Sequence, residues 1–275
     1  MSTAAPVTFT LDVEDYPGPD RQPRAPRLTR RILEFLAEHN ARGTFFVVGE
    51  LADAHPDLVR DITAGGHEVG LHAWRHLALP HLGQATFRAE TVRGKETIEQ
   101  ITGRAVVGYR APAFSIVPET AWAADTLGEL GFTYSSSVLP ARNPLYGWPG
   151  QSRVPFRWPS GVAELPCPVA DFAGRGRATN PYLGGIYLRV LPWRVVRFGL
   201  ARAQPGEVLW LYSHPYDFDP DEPFQQRPDL SRAKSRLQWI NRRRMFTRIE
   251  RLLAYAGIGA PLAERIPSEH GPADG

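Results

Sequence analysis

Apolar and polar residues follow two different patterns along residues 7–134, and segments of one pattern alternate with segments of the other. Short apolar runs rich in Val, Phe and Thr predict strands, and they cover 7–11, 43–48, 67–71, 106–109 and 132–134. Between them, apolar residues recur at helical spacing, over about 28–40, 51–64, 84–103 and 118–130. Repeated strand and helix units favour parallel strands with helices outside, so the sequence predicts an α/β fold, either a barrel or an open sheet.

The alternation is interrupted over 139–185, where Pro, Gly and Trp are scattered and only about 162–166 forms a clear apolar element. Such a stretch is typical of loops and short strands that close over a site. A helix over about 192–203 and a strand over 207–212 follow. The chain then becomes basic, and its pattern over 231–256 predicts further helix.

Histidines and carboxylates gather where the predicted strands end. Asp12, Glu14 and Asp15 follow the first strand, and His72 and His76 follow the third. Imidazoles four residues apart on a helical turn project from one face, where they can hold one metal ion. A carboxylate and two imidazoles leave coordination positions open for water, which a catalytic metal site needs. Because chemistry in parallel α/β folds belongs at the carboxyl ends of strands, these residues predict an active site.

The composition of the chain limits its possible partners, its covalent cross-links and its expected location. The chain has 275 residues, is 43% hydrophobic and carries a formal net charge of +3, so it can bury a large core. Basic and aromatic residues are not interleaved, which argues against nucleic acid as a partner. The single cysteine, Cys167, excludes an internal disulfide and a cysteine-based zinc site. Because neither a leader pattern nor about 18 consecutive apolar residues occurs, we expect a cytoplasmic protein without stable membrane insertion, and a homo-oligomer stays open.

Four motifs occur in the order and spacing found in one enzyme family. They are Gly43-Thr-Phe-Phe-Val47, Gly66-His-Glu-Val-Gly-Leu-His72 with His76, Gly108-Tyr-Arg-Ala-Pro112 and Leu211-Tyr-Ser-His-Pro215. Over residues 6–217 the chain thereby resembles the carbohydrate esterase family 4 polysaccharide deacetylases, which contain the NodB-homology domain. The segments 12–16 and 184–192 are similar to the subgroup associated with exosortase and exopolysaccharide export systems. By that resemblance, 218–257 is a basic helical extension packed on the barrel, and we expect 258–275 to be a flexible tail.

The resemblance implies a distorted seven-stranded (β/α) barrel of the NodB-homology type and a divalent metal. The metal is usually Zn2+, with Co2+, Ni2+ or Mn2+ as substitutes, and its implied ligands are Asp15, His72 and His76. In the family's Thr-Phe-Asp-Asp motif the first aspartate is the base and the second binds metal, which makes Glu14 the base here. Asp12 lies two residues earlier on the same strand face and is the alternative base.

Further site residues follow from the same resemblance. Arg110 corresponds to the arginine that holds the base, the backbone N–H of Ala113 to the oxyanion donor, and His214 to the general acid. The family's usual aspartate partner of that histidine is missing. The candidates to replace it are Asp217, Asp219 and Glu164, and as a further alternative the serines 135–137 could orient the substrate. Aromatic faces pack on pyranose rings, which makes three residues candidates for substrate binding, with core packing as the alternative: Trp74, Phe114 and Tyr134.

The function implied by the resemblance is hydrolytic removal of N-acetyl groups. The expected substrate is an N-acetylhexosamine-containing saccharide or glycolipid precursor used in cell-surface polysaccharide assembly. Two rivals remain at this point. One is a hydrolase of a small cyclic amide, similar to allantoinases and imidases, and the other is a catalytically silent carbohydrate-binding barrel.

Overall fold

The structure, a computed structural model, describes residues 5–15, 23–172, 179–226 and 231–267, and in them strands alternate with helices as the apolar pattern predicts. The strands are β1 (Thr8–Val13), β2 (Gly43–Val47), β3 (Glu68–Leu71), β4 (Gly108–Tyr109), β5 (Tyr134–Ser135), β6 (Phe156–Arg157), β7 (Ala163–Glu164), β8 (Val169–Asp171), β9 (Thr179–Pro181) and β10 (Trp210–Ser213). The helices are α1 (Ala25–Glu38), α2 (Gly49–Ala54), α3 (Pro56–Ala64), α4 (Gln84–Thr102), α5 (Ala123–Glu129), α6 (Gly185–Val190), α7 (Trp193–Leu200), α8 (Arg232–Leu237) and α9 (Met245–Ala256).

The main sheet has the spatial order β10-β1-β2-β3-β4-β5-β7-β6. All neighbours from β10 to β7 pair in parallel, and β6 adds an antiparallel edge strand. The sheet curls into a half-barrel with helices on its outer side, which confirms the expected α/β fold and its seven parallel strands. The apolar element predicted at about 162–166 is β7, and β8 and β9 form a separate antiparallel pair.

Side chains on the two faces of the strands have different surroundings, because successive residues of a strand point to opposite faces. Phe45 and Val47 of β2 join the large core that includes the buried residues of the outer helices. Phe46, between them, packs in a smaller cluster with Trp210 of β10. Strands with both faces covered read as continuous apolar runs, which is why β2 shows no apolar and polar alternation in the sequence.

The helix predicted over 51–64 is two helices. Pro56 opens α3, and a proline disfavours helical geometry in the residue before it. His55 accordingly takes φ −135° and ψ 60°, which ends α2 at Ala54. None of the described helices is both long enough and apolar enough to span a bilayer.

The segment between His72 and His76 is a bent loop, so the expectation that both histidines sit on a helical turn is wrong. Ala73 adopts a left-handed conformation with φ 60°, which breaks any helix there. The first turn of α2 holds the loop, since the N–H of Gly49 donates to the carbonyl of Ala73 at 2.9 Å and the next N–H donates to the carbonyl of Trp74 at 3.0 Å. A helix start with unsatisfied N–H groups is thereby capped by the loop that carries the histidines.

Residues 258–267 pack against the barrel and are not part of a flexible tail as we expected. Ile258 pairs with Val7 as a parallel bridge, and the buried Leu262 donates its backbone N–H to Thr44 Oγ1 at 2.8 Å. The remainder of the expected tail, 268–275, lies outside the described residues.

Candidate metal and active site

Two histidines and one carboxylate converge at the carboxyl ends of β1 and β3. One ligand atom each from Glu14, His72 and His76 can be chosen so that all three lie within 4.8 Å of one another. Glu14 Oε2 is 2.5 Å from His76 Nε2 and 3.8 Å from His72 Nε2. Ligands of a tetrahedral zinc ion with bonds of about 2.1 Å are about 3.4 Å apart. The 3.8 Å separation and the donor set fit a divalent metal ion with open coordination positions, and the Glu14–His76 pair lies at hydrogen-bond distance.

His72 is prepared to act as a ligand. It is 1% exposed, and its Nδ1 lies 2.8 Å from the backbone carbonyl of Arg110. That contact directs the other ring nitrogen, Nε2, toward Glu14, as the outer partners of metal-binding histidines do. Burial lowers the pKa of His72 to about 4, although the nearby carboxylates of Asp12 and Glu14 oppose the change. The imidazole is consequently neutral at pH 7 and offers a lone pair.

Asp15, which we expected to be the third ligand, lies outside this group. Its Oδ2 accepts the backbone N–H groups of Arg24 and Ala25 at 2.6 and 2.8 Å, at the start of α1. The reason is local: β1 ends at Val13, and a bond from the N–H of Glu14 to the carbonyl of Asp12 turns the chain. The structure therefore corrects the expected triad, with Glu14 beside the histidines and Asp15 at a helix start.

Asp12, rather than Glu14, is the carboxylate paired with Arg110. Arg110 Nη1 donates to Asp12 Oδ1 at 2.7 Å, and it also donates to Thr10 Oγ1 at 2.7 Å. Burial alone would raise the pKa of Asp12, but the Arg110 guanidinium, together with the nearby His72 and His214, more than offsets burial, so the pKa lies below its usual range. The expected pairing of Arg110 with Glu14 is therefore not seen, and the carboxylate that Arg110 holds is the alternative candidate, Asp12.

The buried Arg110 is fixed from several sides. Its guanidinium carbon lies 4.1 Å from the ring centre of Phe46 and 4.3 Å from that of Trp210. Nη2 donates to Ser136 Oγ at 3.0 Å. The serines 135–137 are all fully buried, and Ser137 Oγ accepts the N–H of Ala111. These serines hold the arginine segment and do not face a substrate.

His214 lies across the site from the metal group. Its Nε2 is 3.7 Å from Glu14 Oε1 and 3.9 Å from Asp12 Oδ2. Its Nδ1 lies 3.0 Å from Asp217 Oδ2, which also accepts the backbone N–H of His214 at 2.9 Å. Burial would lower the pKa of His214, but the hydrogen bond to Asp217 and the nearby carboxylates raise it to about 9.

The other two candidate partners of His214 have different contacts. Asp219 forms an ion pair with Arg24. Glu164 Oε1 accepts the backbone N–H groups of Ser137 and Val138 at 2.7 and 2.9 Å. Among the candidates that the sequence left open, the structure therefore selects Asp217.

Two consecutive residues after Arg110 have unusual backbone conformations. Ala113 has φ 55° and Phe114 has φ 54°, in the left-handed region that non-glycine residues rarely adopt. Each such residue costs of order 1–3 kcal/mol, and such strain persists where the surrounding structure enforces it, often at functional sites. The Ala113 N–H as an oxyanion donor stays a prediction.

The three aromatic residues expected to bind substrate are not an open stacking surface. Tyr134 is fully buried, and its hydroxyl donates to Glu68 Oε1 at 2.8 Å, at the start of β3 and thus at the opposite end of the barrel. Trp74 is 5% exposed, and the guanidinium of Arg93 lies 3.8 Å from its ring centre. Phe114 is 8% exposed and contacts Trp210 and Tyr212. Core packing, the alternative we considered, accounts for all three.

Sequence reasoning missed residues that support the site. Thr10 lies two residues before Asp12 on the same strand face, so strand periodicity could have indicated its contact with Arg110. Tyr216 stacks on His214 with ring centres 4.6 Å apart and planes at 8°. Arg189 is a buried arginine in an apolar helix, a pattern that predicts a buried ion pair.

Two family profiles match the chain. Residues 4–134 match the family described as Polysaccharide deacetylase, and residues 136–257 match one described as a Domain of unknown function (DUF3473). One sheet crosses the boundary between them, because β7 and β10 lie in the second range and pair with β5 and β1. The site is divided in the same way, with the metal group, Asp12 and Arg110 in the first range and His214 in the second.

Curated proteins and solved structures resemble the chain to different extents. The peptidoglycan-N-acetylglucosamine deacetylase of Bacillus cereus is 30% identical over 122 residues, which are 44% of this chain and 41% of that protein. A chitooligosaccharide deacetylase of Sinorhizobium fredii is 33% identical over 111 residues, 40% of this chain and 48% of that protein. The chain thus matches less than half the length of these relatives. A crystal structure from Mycobacterium smegmatis, provisionally assigned as a polysaccharide deacetylase, superposes with a TM-score of 0.63 at 25% identity and covers 96% of this chain and 90% of that one.

Proposed function

The chain belongs, through residues 4–134, to the polysaccharide deacetylase family, and from that premise we propose that it is a metal-dependent hydrolase of N-acetyl groups on an N-acetylhexosamine-containing saccharide. One observation carries the proposal. The carboxylate of Asp12, held by Arg110, and the imidazole of His214, held by Asp217, face the same group of three ligand atoms. A base, an acid and a metal-binding group in one place are what amide hydrolysis needs.

In this proposal Glu14, His72 and His76 hold the metal. A divalent cation bound there supplies Lewis acidity toward water and toward the amide carbonyl of the substrate. The carboxylate in this ligand set is a glutamate, whereas the resemblance implies an aspartate. Glutamate is one methylene longer than aspartate, and in this chain it follows a turn after β1 and reaches both imidazoles.

Asp12 is the general base. Its pairing with Arg110 keeps the carboxylate ionised at neutral pH, so it can accept the proton of the attacking water. Arg110 is itself held by two aromatic rings and by hydroxyl groups, which fixes the carboxylate oxygens relative to the metal ligands. The other carboxylate oxygen, Asp12 Oδ2, lies 3.9 Å from His214 Nε2.

His214 is the general acid. With its pKa raised to about 9 the imidazole carries both protons at neutral pH. Nδ1–H is bound to Asp217, so the proton on Nε2 is the one available to the departing amine. The N–H of Ala113 is the proposed donor to the oxyanion that develops on the former carbonyl oxygen.

More specifically, we propose that the substrate is a saccharide or glycolipid precursor of a cell-surface polysaccharide and that the reaction takes place in the cytoplasm. The relatives named above are, by their names, deacetylases of peptidoglycan N-acetylglucosamine and of chitooligosaccharides. Their names support an N-acetylated hexosamine as the reacting unit. The segment 184–192 supports the exopolysaccharide setting through its resemblance to that subgroup.

Acetate release from N-acetylglucosamine oligomers and from lipid-linked N-acetylhexosamines tests the proposal. We expect release by the metal-loaded protein, loss after chelation, and recovery when Zn2+ or Co2+ is added back. Ring opening of hydantoin-like amides, assayed in parallel, would instead support a cyclic amide hydrolase. Saccharide binding with no hydrolysis of either class by the metal-loaded protein would contradict the proposal and support a silent binding barrel.

A further inference from the structure

The buried Arg189 of α6 is connected to His214 through a continuous set of contacts. We propose that Arg189 is a positioning residue, which fixes the carboxylate of Asp217 and thereby orients the imidazole of His214, and that the segment 238–241 after α8 holds Arg189 in place. This inference rests on the proposed function, in which His214 is the acid. It gives the region that matches a domain of unknown function a part in the reaction.

Asp217 is held at both of its oxygens. Its Oδ1 is 2.9 Å from Arg189 Nε, and its Oδ2 contacts the ring and the backbone N–H of His214 at 3.0 and 2.9 Å. Both Arg189 and Asp217 are 1% exposed, so water does not compete for these contacts. A carboxylate with a separate partner on each oxygen cannot rotate freely, and the ring that depends on it keeps its direction.

The other side of the Arg189 guanidinium is bound by backbone. Nη1 donates to the carbonyls of Gln238 and Ile240 at 2.9 and 2.8 Å. In return, Asn241 Nδ2 donates to the carbonyl of Arg189 at 2.9 Å. Arginine suits this place because its planar guanidinium presents donors in fixed directions, which a lysine ammonium does not.

Glycine at position 185 gives an independent sign that α6 is shaped around Asp217. A Cβ at Gly185 would lie 2.0 Å from Asp217 Oδ2, so any other residue there would displace the carboxylate. Gly185 and Arg189 are four residues apart on α6 and therefore share one helix face. That face brings both the space for the carboxylate and its cation to the same point.

A purely structural role is the competing explanation, and a matched variant separates the two. Arg248 Nη1 also donates to two carbonyls, those of Leu188 and Leu191, at 2.7 and 2.8 Å. It therefore joins α9 to the end of α6 much as Arg189 joins 238–241 to it. R248Q is the control that removes a comparable anchor without touching Asp217.

The first experiment is a double-mutant cycle on acetate release by the metal-loaded enzyme. We expect R189Q to lower kcat by about 30–100-fold with KM changed less than about threefold, since the acid acts mainly in the transition state. R189K should recover part of the loss, and R248Q should stay within about threefold of the wild type. In the H214A background R189Q should cost less than about twofold, because residues that act through one another are not additive.

An equal loss from R189Q in the H214A and wild-type backgrounds would overturn the inference, because a structural role does not depend on the histidine. The second experiment needs no activity and so separates this inference from the proposed function. In protein labelled with 15N-histidine, the Nδ1–H resonance of His214, identified by its loss in H214A, should shift or broaden in R189Q and persist in R248Q. An unchanged resonance in folded R189Q would overturn the positioning role even if acetate is released, and a shifted one would support it even if none is.

Discussion

The two sides of the proposed site are built in different ways. The metal and base side is made by strand ends that lie next to each other. Asp12 lies near the end of β1, Glu14 just after it, His72 after β3 and Arg110 after β4. The acid side depends on residues far apart in sequence, because His214 is oriented by Asp217, Asp217 contacts Arg189, and Arg189 is anchored on 238–241. The first side can therefore be read from short motifs, whereas the second needs the folded chain.

The largest effect should come from the base. Asp12→Asn is expected to lower kcat/KM by about 10³-fold or more, since general base catalysis typically contributes 10²–10⁴-fold and Arg110 also loses its charged partner. Metal content should stay that of the wild type, because Asp12 is outside the ligand group. Acetate release and metal analysis on the same preparation check both points. Full activity of Asp12→Asn would remove the proposed base.

Substitutions on the acid side of the site should lower activity less than substitution of the base does. Asp217→Asn is expected to lower kcat by about 10²-fold while metal is retained. The reason is that the imidazole of His214 loses its charged partner, whereas the histidine itself is still present. Asp219→Asn is the matched control, since Asp219 lies two residues away and pairs with Arg24 instead. If both variants lost activity equally, Asp217 would have no special connection with His214.

How well the sequence predicts the site also differs between the metal and base side and the acid side. The motif correctly predicted that His72 and His76 lie close together, but the expected helical turn does not form, because Ala73 has a left-handed conformation and α2 binds the loop. Glu14, and not the expected Asp15, lies with the histidines. The reason is that the direction of a side chain after the last strand residue depends on a turn that strand periodicity does not describe. Asp217 remained one of several candidates, since its contact with His214 arises in the short turn 215–218.

A fall in pH and a rise in pH should each lower the stability of the folded state, through different carboxyl groups. The pKa of Asp12 is lowered, so its contribution to stability is present at neutral pH and is lost as the pH falls through that value. Burial raises the pKa of Glu207, before β10, to about 7 against the opposing effect of Arg153. Its contribution is therefore complete below about pH 4.5 and is lost as the pH rises through 7.

Urea unfolding at pH 4.5, 6 and 7.5 measures the second effect. Relative to Glu207→Gln, the wild type should lose about 2–3 kcal/mol of unfolding free energy across this range. The exposed Glu119→Gln is the control and should follow the wild type. Parallel curves for wild type and Glu207→Gln would contradict the raised pKa.

The smallest effect is expected at the end of the barrel away from the site. Tyr134→Phe removes a buried hydroxyl that donates to Glu68, which should cost about 1–2 kcal/mol of stability. Acetate release should not change, because the ring packs in the core and does not face the metal group. A rise in KM for the saccharide, with stability unchanged, would return Tyr134 to the substrate-binding residues.

Metal content of ligand variants tests the central claim most directly. The wild type and Asp15→Asn should each retain one divalent ion per chain after dialysis, and Glu14→Gln should lose it, with His72→Ala and His76→Ala as positive controls for loss. Asp15→Asn should differ only by about 1 kcal/mol of stability from the lost contacts at the start of α1. Retention of the ion by Glu14→Gln together with its loss from Asp15→Asn would contradict the account.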